Sequence, residues 1–100
     1  MLQDFYIGFV KIHILYHASK EPFYGVEILE ELARHGYRLS PGTLYPALHR
    51  LEREGCLSVE KRVIDGKVRK YYSATERGRI VLAESRKKIS ELVDEVLLDK

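Results

Sequence analysis

Asp65-Gly66 stands between two alternating runs, Leu57-Ser-Val-Glu-Lys-Arg-Val-Ile64 and Lys67-Val-Arg-Lys-Tyr-Tyr-Ser-Ala74, and no other stretch constrains the fold as tightly. Asp-Gly suits a type I′ turn, whose twist matches that of the strands it joins, so a two-residue hairpin is expected. The turn sets the register: Ile64 opposes Lys67, Val63 opposes Val68, Arg62 opposes Arg69 and Lys61 opposes Lys70. Val59 then opposes Tyr72 and Leu57 opposes Ala74, both on the Lys61 face. Side chains alternate between faces, so this register makes an apolar base that packs on helices and a cationic distal half.

The segment just before the ribbon reads as a helix. Ser40 is placed as its N-cap, Pro41 at its first position and Gly55 at its end. Leu44, Ala47, Leu48 and Leu51 recur at i, i+3, i+4, i+7, an inward stripe. Thr43, Pro46, Arg50 and Arg53 fall on the opposite side, flanked by Tyr45 and His49. A proline inside a helix costs about 3 kcal/mol. That cost shrinks if regular helix begins near Thr43, which makes Ser40 to Thr43 an ordered turn with N–H groups open to an anion.

Upstream, residues 2–18 form a helix that is apolar on almost every side (Phe5, Tyr6, Phe9, Val10, Ile14, Leu15, Tyr16). Such a helix needs cover all round, and a partner subunit is the simplest source. A second helix is expected from about Phe23 to His35, with Ile28, Leu29 and Leu32 inward and Gly36 as a left-handed stop. Downstream, Thr75 caps a last helix whose apolar stripe (Ile80, Val81, Ala83, Ile89, Leu92, Val93, Val96, Leu97) runs for roughly six turns. It projects past a small core and calls for another helix.

One hundred residues make one domain, 1–100. Net charge is only +2, but residues 41–74 carry seven Lys/Arg against four Asp/Glu, mostly at the hairpin tip. Local charge governs attraction to phosphate. The lone Cys56 rules out an intrachain disulfide and a cysteine-based metal cluster, and reads as buried and inert. No apolar run reaches transmembrane length and no signal-peptide core is present, so the expected location is cytoplasmic. His13 and His17 stand four apart, a metal-pair spacing, but lack a third ligand nearby in sequence and read as core or interface histidines. No metal, cofactor or enzymatic constellation is expected.

Helix, helix, helix, two-stranded ribbon is the order of a winged helix-turn-helix: a mainly α fold with a small β-hairpin, the wing. Tyr24-Gly-Val-Glu-Ile28, Leu39-Ser-Pro-Gly-Thr-Leu-Tyr-Pro-Ala-Leu-His-Arg-Leu-Glu-Arg-Glu-Gly55 and Gly66-Lys-Val-Arg-Lys-Tyr-Tyr-Ser-Ala-Thr-Glu-Arg-Gly78 resemble the PadR family of transcriptional regulators, in the family's order and spacing over most of residues 5–97. The resemblance implies a sequence-specific DNA-binding regulator, usually a repressor, acting as a homodimer on a pseudo-palindromic operator. It implies that helices 1–18 and 75–98 build the dimer, and that the chain is of the compact kind lacking a large C-terminal domain. It further suggests a small aromatic or lipophilic effector, for which Phe5, Tyr6, Phe9, Tyr16, Leu92 and Val96 would line an interfacial pocket; the plainer role of the same aromatics is to fill the dimer core. Val26, Cys56 and Ala74 depart from the usual family pattern, all three reading as core-packing substitutions.

On this reading double-stranded DNA meets Ser40, Thr43, Tyr45, Pro46, His49 and Arg50 of the recognition helix and Lys61, Arg62, Lys67, Arg69 and Lys70 of the wing. Blander roles stand beside these. Tip lysines guard strand edges in many proteins, and Arg50 and Arg53 can pair with Glu54. Tyr45 can pack against the wing, and Tyr71 can touch DNA or the last helix. The alternative function is a winged-helix module for protein–protein contact without specific DNA binding.

Overall fold

The computed structural model describes residues 1–100. The chain runs α1 (Leu2–Lys20), β1 (Phe23–Tyr24), α2 (Gly25–Arg34), α3 (Pro41–Arg53), β2 (Leu57–Ile64), β3 (Lys67–Ala74) and α4 (Glu76–Leu92), and closes with a π-helical turn at Val93–Leu97. The hairpin has the expected register throughout, from Leu57 opposite Ala74 to Ile64 opposite Lys67. Asp65 and Gly66 take φ of 52° and 77°, the left-handed pair a type I′ turn requires.

The ribbon is one strand richer than expected. Phe23–Tyr24 does not start the second helix but pairs antiparallel with β3, Phe23 opposite Tyr72 and Tyr24 opposite Tyr71, giving the order β1-β3-β2. Helix α2 therefore begins at Gly25, where Glu27 Oε1 accepts a hydrogen bond from the Tyr24 N–H at 3.1 Å.

The core lies where α1, α2 and α3 meet the base of the wing. Val10, Ile14, Ile28, Leu32, Leu44, Leu48, Leu57 and Tyr72 are fully or almost fully buried. The inward stripe of α3 is as expected, and so are a buried Cys56 and an Ala74 packed on the core. Val26 is a correction: it is 51% exposed, so it is not a core-packing substitution.

Both helices of the central pair stop in the same way. After α2, Tyr37 N–H bonds the Leu32 carbonyl and Gly36 N–H bonds Ala33; after α3, Cys56 N–H bonds Leu51 and Gly55 N–H bonds Glu52. These are paired Schellman motifs, and each turns an apolar residue (Tyr37, Cys56) back onto the core. Cys56 then meets Gly78 at the start of α4. A Cβ on residue 78 would overlap the Cys56 carbonyl oxygen, so only glycine lets α4 approach this closely. Thr75 caps α4 by accepting from Gly78 N–H at 3.0 Å and donates to the Gly55 carbonyl.

Helix α4 touches the core only through its first turns. Leu82, outside the expected stripe, is its buried side chain, while Ile80, Ile89, Leu92, Val96 and Leu97 remain exposed. The projecting helix stretches the molecule to 54 × 28 × 20 Å, with a radius of gyration of 14.6 Å. A spherical domain of this length has about 13 Å. No helix is long and apolar enough to cross a membrane.

Candidate nucleic-acid interface

Helix α3 has Ser40 as its N-cap and Pro41 at its first position, as expected, but it is regular from there rather than from Thr43. The Ser40 carbonyl accepts from both Thr43 N–H and Leu44 N–H at 3.0 Å, which starts the helix and leaves less of an anion-facing turn than anticipated. The Ser40 hydroxyl does not cap the backbone; it lies 3.3 Å from Thr43 Oγ1. Pro46 is thus inside the helix. The proline removes only the hydrogen bond that would reach back to the Gly42 carbonyl, and Gly42 is exposed, so water can satisfy that oxygen.

The outer side of α3 presents Ser40, Thr43, Pro46, His49 and Arg50 to solvent. Arg50 Nε stands 3.9 Å from the Glu54 carboxylate with both side chains largely exposed, a pair worth little and readily exchanged for phosphate. Tyr45 is half-buried. Its hydroxyl occupies the space a Cβ on Gly25 would need, so residue 25 holds the ring against the start of α2.

An open groove of about 720 Å³ separates this helix front from the wing, with Val26, Tyr45 and His49 on one wall and Lys67, Val68, Arg69 and Lys70 on the other. The five wing cations divide into two kinds. Lys61, Lys67 and Lys70 are exposed, while Arg62 and Arg69 lie half-buried. The Arg62 guanidinium sits 4.4 Å from the centroid of Tyr71, and that of Arg69 sits 4.4 Å from Tyr24. Tyr24 and Tyr71 meet edge to face at 5.5 Å, so an Arg-Tyr-Tyr-Arg stack runs across this side of the sheet. Tyr71 is therefore spent on Tyr24 and Arg62 rather than on α4. The tip is not purely cationic either: the opposed pair Val63 and Val68 is 70% and 66% exposed.

A second concavity lies on the far side, between α1 and α4. It encloses about 570 Å³ and takes in Phe9, Tyr16, His13, His17, His35 and Ile89. Of the residues expected around an effector, Phe9 and Tyr16 line it, and Leu92 shares a neighbouring cleft with Phe9. Phe5 packs edge-on against Phe9 at 4.7 Å, and Tyr6 meets Tyr37 at 6.1 Å. Val96 stands apart, exposed on the closing π turn. His35 is the residue that sequence reasoning missed. It joins His13 and His17, although it lies 18 positions beyond His17 and past a helix reversal. Burial, with His35 and His17 adding to it against an opposing contribution from Glu31, holds His13 below the ordinary imidazole range.

Residues 14–84 match the Transcriptional regulator PadR-like family. The chain belongs to that family. It is 50% identical over 96 residues to Transcriptional regulator Rv3488 of Mycobacterium tuberculosis, covering 96% of this chain and 90% of that protein. Among solved structures, a PadR-like transcription factor from Bacteroides fragilis superposes with a TM-score of 0.84 at 31% identity, covering 98% of this chain and 96% of that one. A PadR family regulator from Eggerthella lenta gives 0.84 at 35% identity, over 96% and 85%. These PadR relatives share the winged-helix arrangement, so the element order inferred from the sequence is the family's, and the chain is a transcriptional regulator rather than an enzyme.

Proposed function

We propose that this PadR-like regulator binds a pseudo-palindromic DNA operator as a homodimer and represses transcription from it. One observation carries the reading: Tyr45 and His49 of α3 face Lys67, Arg69 and Lys70 of β3 across a single open groove. A helix in the major groove reads base edges while wing cations hold phosphates alongside. Ser40, Thr43, Tyr45, Pro46, His49 and Arg50 take the first role. Lys61, Lys67 and Lys70 take the second, joined by Arg62 and Arg69, whose stacking on tyrosine fixes their heads at low entropic cost.

The dimer reading is supported by apolar surface left exposed in the single chain: Leu2, Phe5, Tyr6 and Tyr16 on α1, and Ile89, Leu92, Val96 and Leu97 beyond the core. An isologous contact through 1–18 and 75–98 covers both sets and sets two α3 helices on successive half-sites, about one DNA turn apart. A small aromatic or lipophilic effector in the cleft between α1 and α4 releases DNA if it binds one dimer geometry better than the other.

Anisotropy with a duplex from the protein's own promoter, over a salt series, tests this. With about 3–4 phosphates neutralised per protomer, the log–log salt slope is expected near −5 to −7. Replacing Lys67, Arg69 and Lys70 by Ala should weaken binding and flatten that slope. The exposed Val63–Val68 pair at the tip favours a second reading, a module for protein contact. Absence of salt-sensitive binding, or indifference to the triple substitution, decides for it.

A further inference from the structure

His13 and His17 lie one helical turn apart on α1 and project from the same side. His35 reaches them from another element, as the C-cap of α2. Its backbone is held by the Schellman hydrogen bonds around Gly36, whose φ is +89°. The ligating nitrogens of the three imidazoles all lie within 4.8 Å of one another. Glu31, one turn back on α2, brings Oε1 to 3.7 Å from His17 Nε2 and 3.5 Å from His35 Nε2, while Arg34 holds its other oxygen.

Two imidazoles one turn apart on one helix, met by an imidazole and a carboxylate from a facing helix, make a donor set for a divalent transition metal. The fit is near. Zinc bound tetrahedrally at about 2.0–2.1 Å spaces its nitrogens by roughly 3.3 Å. Closing from 4.8 Å to that spacing requires the rings to turn, which breaks the His13–His35 stack, now at 5.0 Å between centroids. His35 is exposed and His17 half-buried, so a cation enters from solvent without opening the core. Arg86 borders the same cleft, and with Arg34 it opposes a dication. The affinity expected is therefore on the order of micromolar, weaker than that of a thiolate site.

We propose that His13, His17 and His35, completed by Glu31, form a site for one divalent cation of the zinc class per chain. Occupancy ties α1 to the end of α2, immediately before the connection into α3. The inference does not rest on DNA binding, because its test contains no DNA.

The test is calorimetric titration of zinc chloride into chelator-treated full-length protein, paired with thermal unfolding. One zinc per chain should bind and raise the melting temperature, and a chelator should reverse the rise. His35→Asn and His17→Asn should each weaken binding at least tenfold while leaving the metal-free melting temperature within a few degrees. His35 is exposed and makes no core contact, so His35→Asn remains decisive if His17→Asn folds poorly. Cobalt(II) gives a second readout: its visible absorption should rise to one equivalent and be lost in His35→Asn. Failure of the wild type to bind one zinc per chain, or unchanged binding in His35→Asn, overturns the proposal.

Discussion

At the scale of single residues, two glycines carry more of the fold than their size implies. Gly78 lets the start of α4 press against the Cys56 carbonyl, where any Cβ would overlap that oxygen. Gly78→Ala should cost about 1–3 kcal/mol, as an overpacked contact against backbone does, and denaturant unfolding will show the loss. Gly25 holds the Tyr45 hydroxyl. Gly25→Ala forces the ring out toward the groove, so it should weaken DNA binding by more than it lowers stability when anisotropy and melting are compared. Arg50 shows the opposite case, a residue tied to little. Its pair with Glu54 is long and exposed, so Arg50→Ala should leave stability within about 0.5 kcal/mol. If it grips a guanine edge, the same change should cost about 1–3 kcal/mol of binding and relax preference at that base pair.

At the scale of elements, the wing is stiffer than a free hairpin. An isolated two-stranded ribbon is marginal in water. Here β1 adds a third strand, and the Arg62-Tyr71-Tyr24-Arg69 stack braces the face turned away from the core. Tyr24→Ala should loosen the wing, which amide exchange along β3 would report as faster opening of Lys67 to Lys70. Hairpin pairing was legible because Asp65-Gly66 leaves one turn geometry and the alternation leaves one face for the core. The third strand was not, because two residues show no periodicity, and Phe23 and Tyr24 fit the start of a helix as well as the edge of a sheet. The cap at Ser40 was legible but the regularity of the first turn of α3 was not: Pro46 argues locally against a helix that begins before Thr43, but four buried side chains outweigh one missing hydrogen bond.

At the scale of the whole molecule, the unpaired length of α4 is the dominant fact. Its distal apolar residues and those at the start of α1 remain largely exposed in the single chain. If a second copy covers them, Leu92→Glu together with Val96→Glu should turn dimer into monomer by light scattering at micromolar concentration. The single winged-helix unit should stay folded, since neither residue belongs to the core. DNA affinity should then fall sharply, because two linked half-site contacts become independent.

The motifs of the sequence pointed to the family by resemblance, and by itself the sequence determined the order of the helices and the hairpin, the wing register and the inward stripe of α3. Each of these rests on local chemistry: turn geometry, side-chain period and helix ends act over a few residues. Only the tertiary structure decided which side chains meet across elements: Tyr45 on Gly25, Arg69 on Tyr24, Leu82 rather than its neighbours in the core, and His35 beside His13 and His17. Those meetings depend on the crossing of helices and on where two Schellman turns send the chain, and no spacing along the sequence encodes them.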